Sequence, residues 1–174
     1  DKSLKKLFIP KSTYGISPRN KEQQFAMDIL FDDNVPVVSL VGSAGTGKTL
    51  CALSAGLEQV VGSGAYSRLI VSRPIQPLRK DLCHLPVTLG EKMTPWLAPI
   101  QDNLQFLMGN DKLMLQEYLE RGTIEMEAIT YIRGRSISKA FIIIDEAQNL
   151  TRHELKTIIT RVGENSKLIL TGDI

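Results

Sequence analysis

The residues with the most chemistry to offer are Gly42-Ser43-Ala44-Gly45-Thr46-Gly47-Lys48-Thr49, which fit the phosphate-binding pattern GxxxxGK[ST] at every specified position. Gly42, Gly45 and Gly47 can take positive φ, so the loop can curl until successive backbone N–H groups face one anion. Lys48 brings a full charge to the β- and γ-phosphates of a nucleotide, and Thr49 offers a hydroxyl to Mg²⁺. Leu50, one residue further along, completes the candidate nucleotide-binding set at the positive end of the following helix. A glycine-rich turn that binds nothing is the alternative reading.

A second constellation lies far downstream. The apolar run Ala140-Phe141-Ile142-Ile143-Ile144 ends in Asp145-Glu146, the start of DEAQN. Asp145 can hold Mg²⁺ through its water shell, and Glu146 can orient and deprotonate an attacking water. Gln148 and the segment Thr171-Gly172-Asp173 are candidates to sense a γ-phosphate or relay its loss. Gln23 carries an amide that both donates and accepts, which suits the N6/N7 edge of adenine, though a surface glutamine is the plainer reading.

Basic residues form a third group. Arg73 in Ser72-Arg73-Pro74 is placed at a strand's carboxyl end, the edge where open α/β sheets bind ligands, and can grip a phosphate backbone. Arg133 and Arg135, around a glycine, can clasp phosphates and leave Tyr131 to stack on a base. A surface ion pair for Arg73 and a solvated basic turn for the others are the alternatives.

These groups need elements to position them. Val37-Val38-Ser39-Leu40-Val41 reads as a buried strand feeding the glycine loop, and Lys48 to about Val60 reads as a helix with Leu50, Leu53, Leu57 and Val60 near one face. Upstream, Asn20 caps a helix whose apolar residues are Phe25, Ile29 and Leu30. Ser67 to Ser72 forms the second strand. Thr123 to Thr130 alternates as a third, half exposed or at an edge, and Ala140 to Ile144 is buried on both faces. Thr151 and Glu154 form a capping box for a helix bearing Leu155, Ile158, Ile159 and Val162 and ending at Gly163; Lys167 to Leu170 is the fifth strand. The order predicts an α/β fold, a P-loop NTPase (RecA-like) three-layer sandwich around a parallel sheet of about five strands. Residues 1–18 read as a linker or arm and 19–174 as the P-loop domain, with a proline-punctuated helical insertion over 75–122.

Composition narrows the class. The 174 residues suffice for one domain with a sizeable core, and 43% hydrophobic with 23% charged is ordinary for a globular chain. A net charge of +2 permits a nucleic-acid partner without arguing for one. Cys51 and Cys83 lack disulfide-like spacing, and Cys83-His84 has no second pair to complete a metal site. No membrane-spanning run or signal core is legible, so a cytoplasmic location is expected.

Taken together, the P-loop, Ser72-Arg73-Pro74, Arg133-Gly134-Arg135, DEAQN and Thr171-Gly172-Asp173 resemble, in order and spacing, the PhoH-type ATPases, relatives of superfamily-one helicase cores. The resemblance covers almost everything from Tyr14 to Ile174. It is nearest to the ATPase half of proteins that join a PIN ribonuclease domain to a PhoH domain, through Tyr14-Gly15-Ile16, Asn20-Lys21-Glu22-Gln23 and Tyr131-Ile132-Arg133-Gly134-Arg135-Ser136. It implies ATP hydrolysis with Mg²⁺, coupling to single-stranded RNA binding, unwinding or translocation, an upstream PIN domain, and a ring-like homo-oligomer. It also implies that the domain continues beyond Ile174 to activating arginines. Cys83, His84 and Val87 stand where the family usually has glycine, an aromatic and glycine. A small-molecule kinase and a weakly hydrolysing nucleotide-binding assembly or regulatory module are the other functions compatible with a P-loop. Glu146 beside Asp145 suits activation of water better than of a bound alcohol.

Overall fold

The computed structural model describes residues 13–74, 89–129 and 136–174, together with Leu7. Five strands, β1 (Val37–Val41), β2 (Arg68–Arg73), β3 (Ile124–Ala128), β4 (Ala140–Ile144) and β5 (Lys167–Gly172), form one sheet. Their order is β1-β5-β4-β2-β3, and every pair is parallel. Parallel pairing requires crossovers, and these carry the helices: α2 (Lys48–Leu57) after β1, α3 (Leu89–Leu107) and α4 (Lys112–Glu120) after β2, and α5 (Arg152–Ile159) after β4. α1 (Lys21–Phe31) precedes the sheet.

From β1 the chain steps across the sheet to β2 and β3, then returns through β4 to β5. Crossovers of constant hand put the outward and returning helices on opposite faces. The side chains agree. Leu69, Val71, Phe141, Ile143 and Ile169 pack with buried residues of α1, α2, α3 and α4, whereas Ile70, Ile142, Ile144 and Leu168 pack with Ile158 of α5. The three-layer α/β sandwich follows directly from the period-two alternation of strands covered on both sides.

Strand β4 is buried at all five positions, as its unbroken apolar run predicts. β3 lies at one edge of the sheet, again as expected. β1 departs from expectation. It occupies the opposite edge, with Val37 44% and Val41 66% exposed while Val38 is buried against α1 and α2. A β-branched run reports strand propensity and apolarity, but which strand stands beside which is a topological fact outside its reach.

The helices show similar local corrections. Asn20 caps α1 as predicted, its side chain accepting from the Gln23 N–H, but the helix buries Met27 and Leu30 and leaves Phe25 52% exposed. α2 is buried almost all round from Cys51 to Leu57 because it is sandwiched between α1, α3 and the sheet. Gly56 permits that approach: a Cβ there would lie 2.8 Å from Leu69 Cδ1 and 3.0 Å from Phe141 Cδ1. The helix ends in a π-helical turn over Glu58–Gly62. The Thr151–Glu154 capping box of α5 is present, but α5 stops at Ile159, and Val162 instead forms a parallel bridge with Ile137.

One buried cation was not foreseen. Lys167, at the start of β5, is 1% exposed, and its Nζ donates to the carbonyl oxygens of Ile29 at 2.8 Å and Asp32 at 2.6 Å. Gln59 Nε2 similarly donates to Leu30 O at 3.1 Å. Together they satisfy carbonyls at the C-terminal, negative end of α1 and fix that helix to the sheet. Burial lowers the Lys167 pKa below its ordinary 10.5, against an opposing pull from Asp33 and Asp32.

Replacing Lys167 with Met keeps the stem and removes the donors, and should destabilise the fold by about 1–3 kcal/mol in urea unfolding. With the folded pKa below 10.5, the unfolded state binds this proton more tightly, so the wild type gains stability on this account as pH rises toward 10.5. The gap between wild type and Lys167→Met should therefore widen with pH across that window; a gap that narrows would contradict the burial of a strained ammonium.

Candidate functional site

Because every strand is parallel, the segments after β1, β2, β4 and β5 emerge at one edge of the sheet. Those segments contain the glycine loop, Asp145-Glu146 and Asp173, and Arg73 is the last residue of β2 at the same edge. The structure thus gathers at one rim residues that sequence analysis singled out separately.

The loop between β1 and α2 curls through two left-handed glycines, Gly45 at φ 76° and Gly47 at φ 84°. Gly42, the first glycine of the pattern, does not take positive φ, and a Cβ there would meet only ordinary contacts, the nearest at 3.7 Å. Lys48 folds back over the curl. Its Nζ donates to Gly42 O at 2.9 Å and Ser43 O at 2.7 Å, and pairs with Asp173 Oδ1 at 2.9 Å. Thr46 Oγ1 closes the loop on Ser43 O at 2.9 Å. Gln23 reaches in from α1, its Nε2 donating to Thr46 O at 3.1 Å while its Oε1 accepts from the Arg19 N–H at 2.7 Å. Each end of that amide keeps one further hydrogen-bonding capacity, so anchoring the loop and meeting an adenine edge are compatible tasks for Gln23.

At the other side of the loop, Asp145 is buried at the end of β4. Its Oδ1 accepts from Thr49 Oγ1 and from Thr171 Oγ1, each at 2.7 Å, and its N–H donates to Ser72 O at 2.9 Å. Thr171 is itself 1% exposed, so its hydroxyl is committed to Asp145. Thr49 Oγ1 and Asp145 Oδ1 are adjacent hard oxygens beside an open cavity. That donor set suits Mg²⁺, which takes one or two protein oxygens and completes its shell with water and phosphate.

Glu146 stands next to this pair in a left-handed backbone conformation, φ 54° and ψ 40°, which costs a non-glycine residue about 1–3 kcal/mol. Its Oε1 accepts from Arg73 Nη2 at 3.1 Å and its Oε2 from Gln148 Nε2. Gln148 Oε1 in turn accepts from the Asp173 N–H at 3.1 Å. Residues from β2, β4 and β5 are thereby joined in one polar network that ends at Lys48.

Two cavities flank the loop. One, of about 420 Å³, lies between α1 and β1 and is lined by Gln23, Ala26, Ile29, Leu40, Val41 and Thr46 among others; the other, of about 290 Å³, is lined by Gly45, Gly47, Thr49, Leu50, Asp145, Glu146, Gly172 and Asp173. Lys48 borders both. Ala44 also lines the second cavity, and Ser43 meets the site through its carbonyl oxygen, which accepts from Lys48 Nζ. Cys51 borders the first cavity, and burial pushes its thiol up, away from thiolate reactivity.

Asn103 of α3 also lines the second cavity, and sequence analysis missed it. The available signal was a polar residue on the apolar stripe formed by Ile100, Leu104 and Leu107. Tyr131, Arg133 and Arg135, and the Cys83-His84 segment, lie outside the described residues. Among the described residues no helix is long and apolar enough to cross a membrane.

A family model described as PhoH-like protein matches residues 15–174. The chain belongs to the PhoH family. It is similar to Protein PhoH2 of Bacillus subtilis, 52% identical over 173 residues that cover 98% of this chain and 39% of that protein. Protein PhoH2 of Mycolicibacterium smegmatis is 41% identical, with 94% of this chain and 37% of the relative covered. A PhoH-like protein of Synechocystis is 37% identical over 99% of this chain and 52% of its own length. This PhoH-family chain therefore spans roughly two fifths to one half of the curated relatives it matches.

The left-handed glycine at the mouth of α2 gives a direct test of the loop geometry. Gly47→Ala forces a Cβ into φ 84° and 3.2 Å from Gln23 Nε2, and should lower stability by about 1–3 kcal/mol in thermal or urea unfolding. A variant as stable as the wild type would show that the loop does not hold this curl in solution.

Proposed function

We propose that this PhoH domain binds ATP with Mg²⁺, hydrolyses it to ADP and orthophosphate, and couples the hydrolysis to single-stranded RNA. The observation that carries the reading is the convergence of Lys48, Thr49, Asp145 and Glu146 on one cavity of about 290 Å³ at the carboxyl edge of the sheet. A loop built only to turn would not need a buried carboxylate held by two hydroxyls beside it.

On this reading the triphosphate lies along the glycine loop with its base toward the α1–β1 cavity, where Gln23 can meet it. Lys48 exchanges Asp173 and its carbonyl partners for β- and γ-phosphate oxygens, and the loop N–H groups stabilise the charge that grows in the transition state. Thr49 and Asp145 would hold Mg²⁺, which when bound neutralises charge on the phosphate oxygens. Thr171 fixes the Asp145 carboxylate. Glu146 accepts a proton from water as the water oxygen bonds to the γ-phosphorus; the bond from that phosphorus to the bridging oxygen breaks, and its electron pair leaves with ADP.

The RNA half of the proposal draws on Arg73 at the same rim and on Tyr131, Arg133 and Arg135 in the sequence. Unwinding or translocation, an upstream PIN ribonuclease domain and a ring-shaped homo-oligomer belong to the same proposal and rest on the family resemblance. So do the division into an arm over 1–18 and an ATPase domain over 19–174 with an insertion over 75–122.

Lys48→Ala should abolish ATP turnover in the full-length protein. Glu146→Gln should lower kcat by about 10²- to 10⁴-fold while binding a fluorescent ATP analogue as well as the wild type does. Phosphate must appear without any acceptor. Wild-type turnover by the Lys48 variant, or phosphate transferred only to an added alcohol, would sink the assignment.

A further inference from the structure

Glu146 is held in place by two partners, and one of them is a cation at the rim of the sheet. β2 and β4 are parallel neighbours with Ser72 in register with Ile144, so the next residue of β2, Arg73, and the residues following β4 emerge side by side. Arg73 Nη2 donates to Glu146 Oε1, and the two side chains remain 24% and 30% exposed. Gln148 takes the other carboxylate oxygen. Both oxygens of the group that must collect a proton from water are thus engaged, on a residue whose backbone is itself left-handed.

We infer that Arg73 is a positioning residue that restrains Glu146 at rest and releases it when a phosphodiester of a bound single strand takes the guanidinium. The inference rests on the hydrolytic role proposed above for Glu146. A guanidinium matches a phosphate as well as it matches a carboxylate, and the pair is exposed enough for a strand running along the rim to compete for it. Loss of one ion pair whose side chains are only partly buried is a modest energetic step, which is what a reversible switch requires. An isolated surface pair would serve no such end, but this one closes on the acidic residue beside the Thr49–Asp145 pair.

The second hold on Glu146 leads to the nucleotide. Gln148 bonds both Glu146 and the Asp173 N–H, and the Asp173 carboxylate pairs with Lys48. A triphosphate on Lys48 repels Asp173 by like charge, so Gln148 reports loop occupancy to the same carboxylate that Arg73 restrains. Two anions, one on each side, then act on one glutamate. By linkage, whatever loosens the Arg73–Glu146 pair from the catalytic side also frees Arg73 for the strand.

The test uses the full-length protein and an oligouridylate of about twenty nucleotides, long enough to span one domain's groove. In steady-state ATPase assays the wild type should be stimulated by the oligonucleotide. Arg73→Gln should raise the RNA-free kcat by about two- to fivefold, the scale of one ion pair near the surface, with KM for ATP unchanged and the stimulation lost. Arg73→Lys should keep part of the stimulation, which shows that the site still folds. In fluorescence anisotropy without ATP, Glu146→Gln should bind the oligonucleotide about two- to fivefold more tightly than the wild type at low salt.

An Arg73→Gln variant with unchanged or lower RNA-free kcat overturns the restraint. Equal affinity of wild type and Glu146→Gln for the oligonucleotide, or no binding by either, overturns the competition, and stimulation by polyglutamate in its place overturns the nucleic-acid assignment. If the wild type hydrolyses no ATP yet Glu146→Gln binds the strand more tightly, the catalytic reading fails while the pairing of Arg73 between carboxylate and phosphodiester stands.

Discussion

The carboxylate of Asp145 is the point on which the site depends. It sits at the end of the most deeply buried strand, accepts hydroxyls from Thr49 and Thr171, and is anchored through its own N–H to Ser72 O. Four separate pieces of chain are therefore registered against one another by a single residue. A buried carboxylate without these partners would be costly to keep charged. The same hydroxyls that satisfy it also determine where α2, and with it the glycine loop, stands relative to the sheet. Folding and site geometry are one problem here.

The architecture that brings those pieces together is cheap in sequence terms. All-parallel pairing makes every loop that follows a strand open on the same side, so a short motif after each strand suffices to build a composite site. Lys48, Asp145, Glu146 and Asp173 come from segments far apart in the chain and need no further device to meet. What the sheet cannot do is choose side-chain partners at close range, and there the structure adds contacts that spacing does not dictate: Lys48 to Asp173, Gln23 to Thr46 O, and Arg73 to Glu146.

Much of this was legible in the residues. The glycine pattern, the β4 run ending in two acids, the Thr151 capping box and the α/β alternation each rest on local chemistry, and local chemistry is what a single sequence displays. The edge position of β1 was not legible, because a valine-rich strand looks the same at an edge as in a centre. Lys167 was hidden for the opposite reason: a lysine opening a strand reads as solvated, and only the approach of the α1 C-terminus gives its ammonium two carbonyls to serve. Asn103 reached the site through a tertiary contact of α3, which no motif marks.

The strand order also says when the site can come into being. Val37 of β1 lies in register with Leu168 of β5, and β5 is the only strand with which β1 pairs among the described residues. Among the described strands β1 is made first and β5 last, so β1 waits for β5 and a long loop has to close before it gains that partner. The pairs of β2 with β3 and β4 carry shorter separations and can form ahead of it. The glycine loop, which precedes Arg73 and Asp145-Glu146 in the chain, is in this order of assembly fixed after them.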